Sequence, residues 1–295
     1  MIAVIVNPRA GRGKAISNLP EVENILREFS LDYEVFFTSG PGNATEIARE
    51  LRKSGKVKKI VVAGGDGTIN EVIQALVGSK VPILPVPLGT GNDFAKFFYP
   101  HQKFDTVLEN HLLSNAEEEI DLGVLETGTS ERYFINGMGI GFDSEVLNNM
   151  KRIRLLKGDF LYTSAVLWTF LTFSGTELKV SINGGHSFGG RFLLFNVGNG
   201  QYLGGGFKLF PKASLSDGLL DVSIIGSLRP MRFFTNFYKA FKGKHITLPE
   251  VSYMKASVIS IKSETPFSLQ LDGEFATELN DIKIRVLRRV LKVVL

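Results

Sequence analysis

The stretch that decides the fold is Ile60-Val61-Val62-Ala63-Gly64-Gly65-Asp66-Gly67-Thr68. Its first four residues are apolar and predict a buried strand. The residues that follow place apolar side chains at positions 69, 72, 73 and 76, which is the spacing of one helix face. The glycines therefore lie between a strand and a helix, where backbone N–H groups can approach a ligand because no Cβ intervenes. The N-terminus of the following helix favours an anion.

Asp66 adds a carboxylate to this turn. A carboxylate is unexpected beside a bare phosphate, so its presence indicates that a divalent cation or a hydroxyl group shares the site. For a single turn of this kind, the alternative is a tight strand-to-helix connection in which Asp66 or Thr68 caps the helix. Two further turns of similar composition favour a ligand site.

Residues 1–100 alternate predicted strands and helices. The predicted strands are Met1–Val6, Tyr33–Thr38, Val57–Ala63 and Ile83–Val86, and the predicted helices are Leu19–Phe29, Asn43–Lys53 and Ile69–Val77. This order predicts a parallel sheet with helices on its faces. Ligands of such sheets bind at the carboxyl ends of the strands.

Two more strand ends carry turns suited to a ligand. They are Asn7-Pro8-Arg9-Ala10-Gly11-Arg12-Gly13-Lys14 and Pro87-Leu88-Gly89-Thr90-Gly91-Asn92-Asp93-Phe94. The first combines small residues with three cations that could bind phosphate, although it lacks the spacing of a Walker A loop. Three turns at neighbouring strand ends predict a site of nucleotide size.

The pattern changes near residue 121, where short strand-like runs separated by Gly, Asn and Ser begin. The predicted strands are Asp121–Leu125, Tyr133–Gly137, Thr176–Ile182, Gly190–Asn196, Gly218–Ile225, Val258–Ser263 and Phe267–Leu271, with helices at Phe142–Phe173 and Met231–Phe241. These runs predict a second domain, an antiparallel sandwich or barrel. We therefore divide the chain into an α/β domain at 1–121 and a β domain at 122–281, with residues 282–295 returning to the first sheet.

Composition excludes several chemistries. The 295 residues include no cysteine, which excludes disulfides, thiolate metal sites and cysteine nucleophiles, and the four histidines lack ligand spacing. The net charge of +4 is mild, and we expect no nucleic-acid partner. Met1–Val6 resembles no signal peptide, and the apolar run Phe160–Phe173 is shorter than the ~20 residues of a membrane span. We expect a cytoplasmic protein.

Five motifs occur in the order found in one family. They are Asn7-Pro8 with Gly11, Gly64–Thr68, Gly89–Asp93, Ser216–Asp221 and Leu271–Glu274. Over essentially its full length the chain resembles the soluble bacterial lipid kinases of the diacylglycerol kinase type, which are related to sphingosine kinases. The Gly64 turn alone is shared with NAD kinases and resembles a turn of phosphofructokinases, whereas the later motifs are specific to the lipid kinases.

The resemblance implies a fold and an activity. The fold is an N-terminal NAD-kinase-like parallel α/β domain and a C-terminal antiparallel β-sandwich that binds lipid, with the active site in the cleft between them. The activity is transfer of the γ-phosphoryl group of ATP to the free hydroxyl of a lipid alcohol, most simply diacylglycerol, giving phosphatidic acid. The implied ATP contacts are Asn7, Pro8, Arg9, Ala10, Gly11, Thr38, Gly64, Gly65, Asp66, Gly67, Thr68, Ile69, Asn70 and Thr90.

The resemblance also assigns catalytic and metal-binding roles. Glu274 would be the general base, and Asp66 would lie near the γ-phosphate and organise Mg²⁺ or the lipid hydroxyl. A structural Mg²⁺ would be bound by the Asp217 carboxylate and by the carbonyls of Ser214 and Leu219. Its water-bridged acidic network would extend to Asp93 and Asp121. Without the resemblance, Asp217 and Glu274 would be interpreted as ordinary turn carboxylates.

A lipid kinase must reach a bilayer, and two basic, apolar stretches are candidates for transient contact with the inner membrane surface. They are Met150–Lys157, which leads into Phe160–Phe173, and Met231–Lys242. Both are also explained by ordinary helices that pack aromatic or aliphatic residues into the core. The family further implies a homodimer. The alternative functions are an NAD kinase-like small-molecule kinase and a catalytically inactive nucleotide-binding regulator.

Overall fold

The computed structural model describes residues 1–152, 159–226, 232, 235–236 and 238–295. Its first part alternates strands and helices. The elements are β1 (Ile2–Val6), α1 (Lys14–Ser17), α2 (Leu19–Glu28), β2 (Tyr33–Phe37), α3 (Asn43–Ser54), β3 (Lys59–Gly64), α4 (Asp66–Leu76), β4 (Ile83–Pro87), α5 (Asp93–Phe98) and α6 (Phe104–His111). The four strands are parallel and lie in the order β2-β1-β3-β4.

Strand β1 shows why helices cover both faces of this sheet. Ala3 and Ile5 belong to one hydrophobic core, which they share with α3 and α4. Val4 and Val6 point the other way, into a core shared with α2 and α6. Because successive side chains of a strand alternate between faces, an unbroken apolar strand must be covered on both sides.

Helix α4 begins at Asp66, three residues before the predicted start at Ile69. Gly65 is extended, with φ −106° and ψ −172°, and the chain becomes helical immediately after it. The prediction placed the start at the first apolar residue, but apolar spacing marks only the buried face of a helix. The first turn of α4 faces the cleft instead and carries Asp66 and Gly67.

The second part consists mostly of antiparallel strands. Its elements are β5 (Glu117–Glu126), β6 (Glu131–Phe134), β7 (Gly137–Gly141), α7 (Phe142–Arg152), α8 (Asp159–Thr172), β8 (Thr176–Ile182), β9 (His186–Phe192), β10 (Leu194–Gly198), β11 (Leu220–Ile225), α9 (Tyr238–Phe241), β12 (Val251–Ala256), β13 (Val258–Leu271) and β14 (Glu274–Val294). Among the described helices, none is long and apolar enough to cross a membrane.

Strand β13 connects the two layers of the sandwich. Its first half, at residues 259–262, pairs with β8, and its second half, at residues 269–271, pairs with β7. The pairing with β14 shifts register between Lys262 and Phe267, which is how a long strand passes from one layer to the other. Side chains from both layers form one core between them, including Val180, Ile261 and Phe195.

Strand β14 joins the sandwich to the α/β domain. It pairs with β13 and β5 in the antiparallel direction, and near its end Val293 pairs with Ile83 of β4 in the parallel direction. The C-terminal strand therefore lies beside the first sheet. The domain boundary after residue 121 stays a prediction, and that residue lies within β5.

Several predicted element boundaries were wrong in the second part. Val258–Ser263 and Phe267–Leu271 form the single strand β13, because the polar, Pro-containing segment between them continues the strand through the register shift. Tyr133–Gly137 spans the gap between β6 and β7, and Gly190–Asn196 spans the gap between β9 and β10. Apolar content alone does not mark an interruption of two residues or fewer.

The two predicted helices of the second part are described only in pieces. The Phe142–Phe173 prediction corresponds to α7 and α8, and residues 153–158 between them lie outside the described part of the chain. Of Met231–Phe241, residues 231, 233–234 and 237 lie outside the described residues.

Candidate active site

The three Gly-containing turns of the α/β domain meet at one edge of its sheet. A Cβ added to Gly89 would lie 2.3 Å from the Cα of Gly65, and one added to Gly11 would lie 2.3 Å from the carbonyl oxygen of Leu88. Any side chain at Gly89 or Gly11 would force these backbones apart, and Gly11 also has φ +59°. The glycines are therefore required for turns from separate parts of the sequence to pack backbone against backbone.

Side chains fix the same arrangement. The Nδ2 of Asn7 donates to the Oγ1 of Thr68 at 3.0 Å, while the Oδ1 of Asn7 accepts from the Arg9 amide at 3.1 Å. The Thr38 amide donates to the Val6 carbonyl at 2.9 Å, which places Thr38 beside the turn that follows β1. The first two predicted ATP-contact segments and Thr38 thus lie at neighbouring strand ends.

Two predicted ATP contacts have side chains that point elsewhere. Ile69 is 1% exposed and packs in the core of the α/β domain. Asn70 donates from Nδ2 to the Oδ2 of Asp272 at 2.6 Å, across the domain junction. Thr90, by contrast, lines the cavity between the domains. Only backbone atoms of Ile69 and Asn70 remain for the predicted contact with ATP.

Asp66 and Asp93 form an acidic pair at the mouth of this cavity. The Oδ1 of Asp66 accepts from the Phe94 amide at 2.9 Å. Asp93 is 4% exposed, and its Oδ2 accepts from the Gly205 amide at 2.7 Å. Burial and the negative charge of Asp66 raise the pKa of Asp93, against the opposing effects of the Gly205 amide and Lys96. The Oδ1 of Asp93 is buried, faces the Lys96 ammonium at 3.5 Å and accepts no hydrogen bond from the described residues.

Asp272 holds the turn that presents Glu274. Its carboxylate accepts from the amides of Ile135, Asn136 and Gly137 at 2.9, 2.9 and 2.8 Å, in addition to the Asn70 side chain. Burial raises its pKa to about 6, and these four donors oppose the increase. Asp272 was quoted within a motif but given no role, because nothing in the sequence shows that three consecutive amides converge on it.

Glu274 lies directly over the start of α4. A Cβ added to Gly67 would lie 3.4 Å from the Oε1 of Glu274, and the Nη2 of Arg132 lies 3.9 Å from its Oε2. The Glu274 side chain is 55% exposed. The structure therefore brings the predicted general base next to the residue that follows Asp66, although the two carboxylates come from opposite ends of the chain.

A cavity of about 440 Å³ extends from the acidic pair into the second domain. Its near end is lined by Asp66, Thr90, Asp93 and Gly273. Most of its wall is apolar and comes from α7, from the start of β10 and from the loop before β11. Among the apolar lining residues are Phe142, Val146, Leu147, Leu194, Leu203 and Leu209. The arrangement joins a polar, anion-binding edge to an apolar chamber.

Asp143 is a polar group within the apolar part of the cavity. Its Oδ1 accepts from the Ser144 amide at 2.9 Å, and its Oδ2 accepts from the Nε2 of Gln270 at 3.1 Å. Loss of hydration raises its pKa to about 6. Asn196, which also lines the cavity, has a buried Oδ1 without a hydrogen-bond partner among the described residues. Neither residue was predicted from the sequence, since Asp143 lies in α7 and Asn196 in β10 and the two form no local motif.

The 214–219 loop, predicted to bind a structural Mg²⁺, is fixed by hydrogen bonds to other protein groups. The Oδ1 of Asp217 accepts from the Leu219 amide at 3.0 Å, and its Oδ2 accepts from the Nζ of Lys255 at 2.6 Å. Both carboxylate oxygens therefore already accept hydrogen bonds from protein groups, and one of these donors is a cation. The ammonium on Oδ2 competes with the Mg²⁺ predicted at Ser214, Asp217 and Leu219, and that metal site stays a prediction.

Asp121 supports this loop from the other side. Its Oδ2 accepts from the Gly218 amide at 2.7 Å, and its Oδ1 accepts from the Arg289 amide at 2.8 Å. It thus ties the loop to β14, while Asp93 is bound to Gly205 in the cavity. The predicted water-bridged network between them remains untested.

The α/β domain with its three Gly-containing turns matches the family model of a kinase catalytic domain, and the antiparallel sandwich matches that of a kinase-associated domain. On these matches the chain belongs to the diacylglycerol kinase-type lipid kinase family. Residues 1–129 match the diacylglycerol kinase catalytic domain, and residues 137–295 match the YegS C-terminal NAD kinase beta sandwich-like domain.

Individual relatives agree over nearly the whole chain. A diacylglycerol kinase of Bacillus subtilis is 27% identical over 290 residues, covering 97% of this chain and 94% of that protein. A diacylglycerol kinase of Mycobacterium tuberculosis is 29% identical over 283 residues, covering 94% and 90%. The crystal structure of a putative diacylglycerol kinase from Bacillus anthracis superposes with a TM-score of 0.78 at 24% identity, over 99% of this chain and 96% of that one.

Proposed function

We propose that the protein is an ATP-dependent lipid kinase that transfers the γ-phosphoryl group to the free hydroxyl of a lipid alcohol, with diacylglycerol as the first candidate and phosphatidic acid as its product. The observation that carries this proposal is the continuity of the apolar cavity with the acidic pair Asp66 and Asp93. An acyl chain requires the first environment, and phosphoryl transfer requires the second.

The nucleotide would lie across the three turns of the α/β domain. Backbone N–H groups at the start of α4 and the glycines at 64, 65 and 67 suit phosphate oxygens. Arg9 and Arg12 add positive charge near the turn after β1. This placement directs the γ-phosphate toward Asp66, because α4 begins at that residue.

Mg²⁺ bound with ATP fits the acidic pair. Asp66 and Asp93 supply carboxylate oxygens. The buried Oδ1 of Asp93 accepts no hydrogen bond from the described residues, and the Lys96 ammonium, 3.5 Å away and without a hydrogen bond to it, would have to move aside for the ion. Oxygen donors of this kind are those that Mg²⁺ prefers. When bound, the ion would offset the negative charge of the phosphates and of the two aspartates.

Glu274 is the proposed general base. As the lipid hydroxyl oxygen bonds to the γ-phosphorus, its proton passes to the Glu274 carboxylate. The bond between the γ-phosphorus and the bridging oxygen breaks, and ADP leaves with that electron pair. The Asp272 carboxylate keeps the turn in place by accepting hydrogen bonds from the backbone amides of residues 135–137. Glu274 is thereby presented beside the first turn of α4. Arg132 is close enough to help orient the Glu274 carboxylate.

Helix α8 is the proposed membrane contact. It exposes Leu167, Trp168 and Leu171, which are 50%, 59% and 75% exposed. Its other side packs on α7, where the ring of Phe170 lies 6.0 Å from that of Phe142 in the cavity wall. An apolar face with a tryptophan suits the bilayer interface, and here it lies one helix away from the cavity.

Vesicle binding tests this contact. A double change of Trp168 and Leu171 to Ser should weaken binding to vesicles containing anionic lipid. The control Leu113→Ser, at an exposed site on the surface of the α/β domain, should leave binding unchanged. Equal binding of the unmodified protein and both variants would exclude α8 as the contact.

Most of the basic stretch Met150–Lys157 lies outside the described residues. The implied homodimer and the cytoplasmic location remain predictions, and sedimentation velocity tests the first.

The activity is tested with γ-labelled ATP and a panel of acceptors in mixed micelles. The panel contains diacylglycerol, phosphatidylglycerol, a sphingoid base and NAD. We expect labelled lipid, with diacylglycerol the best acceptor and NAD inactive. Transfer to NAD alone would establish the small-molecule kinase alternative. ATP binding without transfer to any acceptor would instead support the inactive regulator.

A further inference from the structure

The ammonium of Lys255 lies between two carboxylates at the base of the 214–219 loop. Its Nζ is 2.6 Å from the Oδ2 of Asp217 and 3.5 Å from the Oδ2 of Asp221. Lys255 on β12 and Asp221 on β11 are directly paired in the antiparallel ladder. The lysine is therefore held in register beneath the loop, and its position does not depend on the loop itself.

Asp221 needs this cation. It is completely buried, and its Oδ1 accepts from the Tyr253 hydroxyl at 2.6 Å. Its Oδ2 has no hydrogen-bond partner among the described residues, so the Lys255 ammonium is the positive charge that faces it. A buried carboxylate left without a compensating cation is strongly destabilising. The Lys255 ammonium thus compensates the charge of Asp221 in β11 and that of Asp217 in the loop.

The rest of the loop is also anchored by protein groups. The Asp121 amide donates to the Leu215 carbonyl at 2.6 Å, and the Oδ2 of Asp121 accepts from the Gly218 amide. With Asp217 bound to Lys255, the loop is held at three of its six positions. A divalent ion on the Oδ2 of Asp217 would be repelled by the ammonium already there and would have to displace it.

We infer that the Lys255 ammonium is the resident cation of the 214–219 loop and takes the structural part that the resemblance assigns to Mg²⁺. The loop and β11 then keep their structure in the absence of any divalent ion. This inference is independent of the proposed lipid kinase activity, and it leaves the requirement for Mg²⁺ bound with ATP untouched.

Thermal unfolding of the full chain without nucleotide tests the inference. An ion that binds the folded state would raise the Tm. Because we infer that no divalent ion binds the loop, we expect the same Tm in EDTA and in millimolar Mg²⁺. Lys255→Met should lower the Tm by roughly 5 °C in EDTA, since Asp221 loses its counter-charge. The matched control is Lys262→Met, which removes a 2.9 Å pair with Asp281 between two exposed side chains and should change the Tm little.

Asp217→Asn separates this loop from other Mg²⁺ sites. A rise in the Tm of the unmodified protein with Mg²⁺ that is lost in Asp217→Asn would place the ion on the loop and overturn the inference. A rise that persists in Asp217→Asn belongs to another site and leaves it standing. If Lys255→Met does not fold, the effect of Mg²⁺ on the Tm of the unmodified protein and of Asp217→Asn still tests the inference. A Lys255→Met protein as stable as the Lys262→Met control would also overturn it.

Discussion

The two sides of the cleft present different kinds of atoms to a ligand. On the α/β side the surface is mostly backbone, packed so closely that Gly65 and Gly89 leave no room for a Cβ between them. On the sandwich side it is a wall of apolar side chains, including Phe142, Val146 and Leu203. A backbone surface depends on a few short motifs, whereas a side-chain wall tolerates many combinations of residues. Substitutions on the two sides should therefore impair the use of different substrates, ATP on the α/β side and the lipid on the sandwich side.

The largest effect is expected where the two sides meet. Glu274→Gln should lower kcat by about 10²–10⁴-fold, because the carboxylate that accepts the hydroxyl proton is lost. The KM for ATP should change by less than about threefold, since a lost proton acceptor acts on the transition state. Glu278→Gln, at an exposed position further along β14, is the control. Steady-state assays with labelled ATP measure both values, and a kcat within a few-fold of the unmodified protein would show that Glu274 is not the base.

Gly89→Ala tests the backbone side. The new Cβ would lie 2.3 Å from the Gly65 Cα, so the two turns must separate. Such overpacking costs about 1–3 kcal/mol, and we expect kcat/KM for ATP to fall by about 30-fold. Gly128→Ala, with no atom within 4 Å of the added Cβ, should change neither activity nor stability. Steady-state assays over a range of ATP concentrations measure the effect, and an unaltered kcat/KM for ATP would show that the packing of these turns does not shape the nucleotide site.

Val146→Trp tests the apolar side. Val146 is 4% exposed and lines the cavity, so a larger side chain there would occupy space proposed for an acyl chain. We expect about tenfold lower kcat/KM for long-chain diacylglycerol and little change in KM for ATP. Dioctanoylglycerol should be affected less than a long-chain substrate. An equal loss for both chain lengths would indicate that the acyl chain lies elsewhere.

Asp143→Asn tests the polar group within the apolar wall. The folded-state pKa of Asp143 is raised to about 6, so protonation stabilises the fold, and that stabilisation is lost as the pH rises from about 4 through 6. Asparagine does not titrate. The variant should therefore gain about 1–2 kcal/mol in free energy of unfolding relative to the unmodified protein between pH 4.5 and pH 7. Urea unfolding at the two pH values measures this difference, and a constant offset would show that Asp143 titrates normally.

The sequence predicted the α/β side in more detail than the sandwich side. The strand-turn-helix order around Asp66 and the three Gly-containing turns are local patterns, and the structure brings these turns together at one sheet edge. The roles of Asp143 and Lys255 could not be predicted. Their partners, Gln270 and Asp217, are distant in sequence and lie beside them only because β13 pairs with β7 and β12 pairs with β11, and a sequence shows no such pairing.

The sequence by itself determined the alternation of strands and helices in the α/β domain, the three Gly-containing turns and the order of the five motifs, because each can be recognised from residues close together in the chain. The tertiary structure decided which carboxylates face one another, the shape of the apolar cavity and the cation beneath the 214–219 loop. These depend on β13 and β14, which bring residue 274 over residue 67 and lay the C-terminal strand beside the first sheet. Contacts between residues some 200 positions apart arise only when the chain has folded.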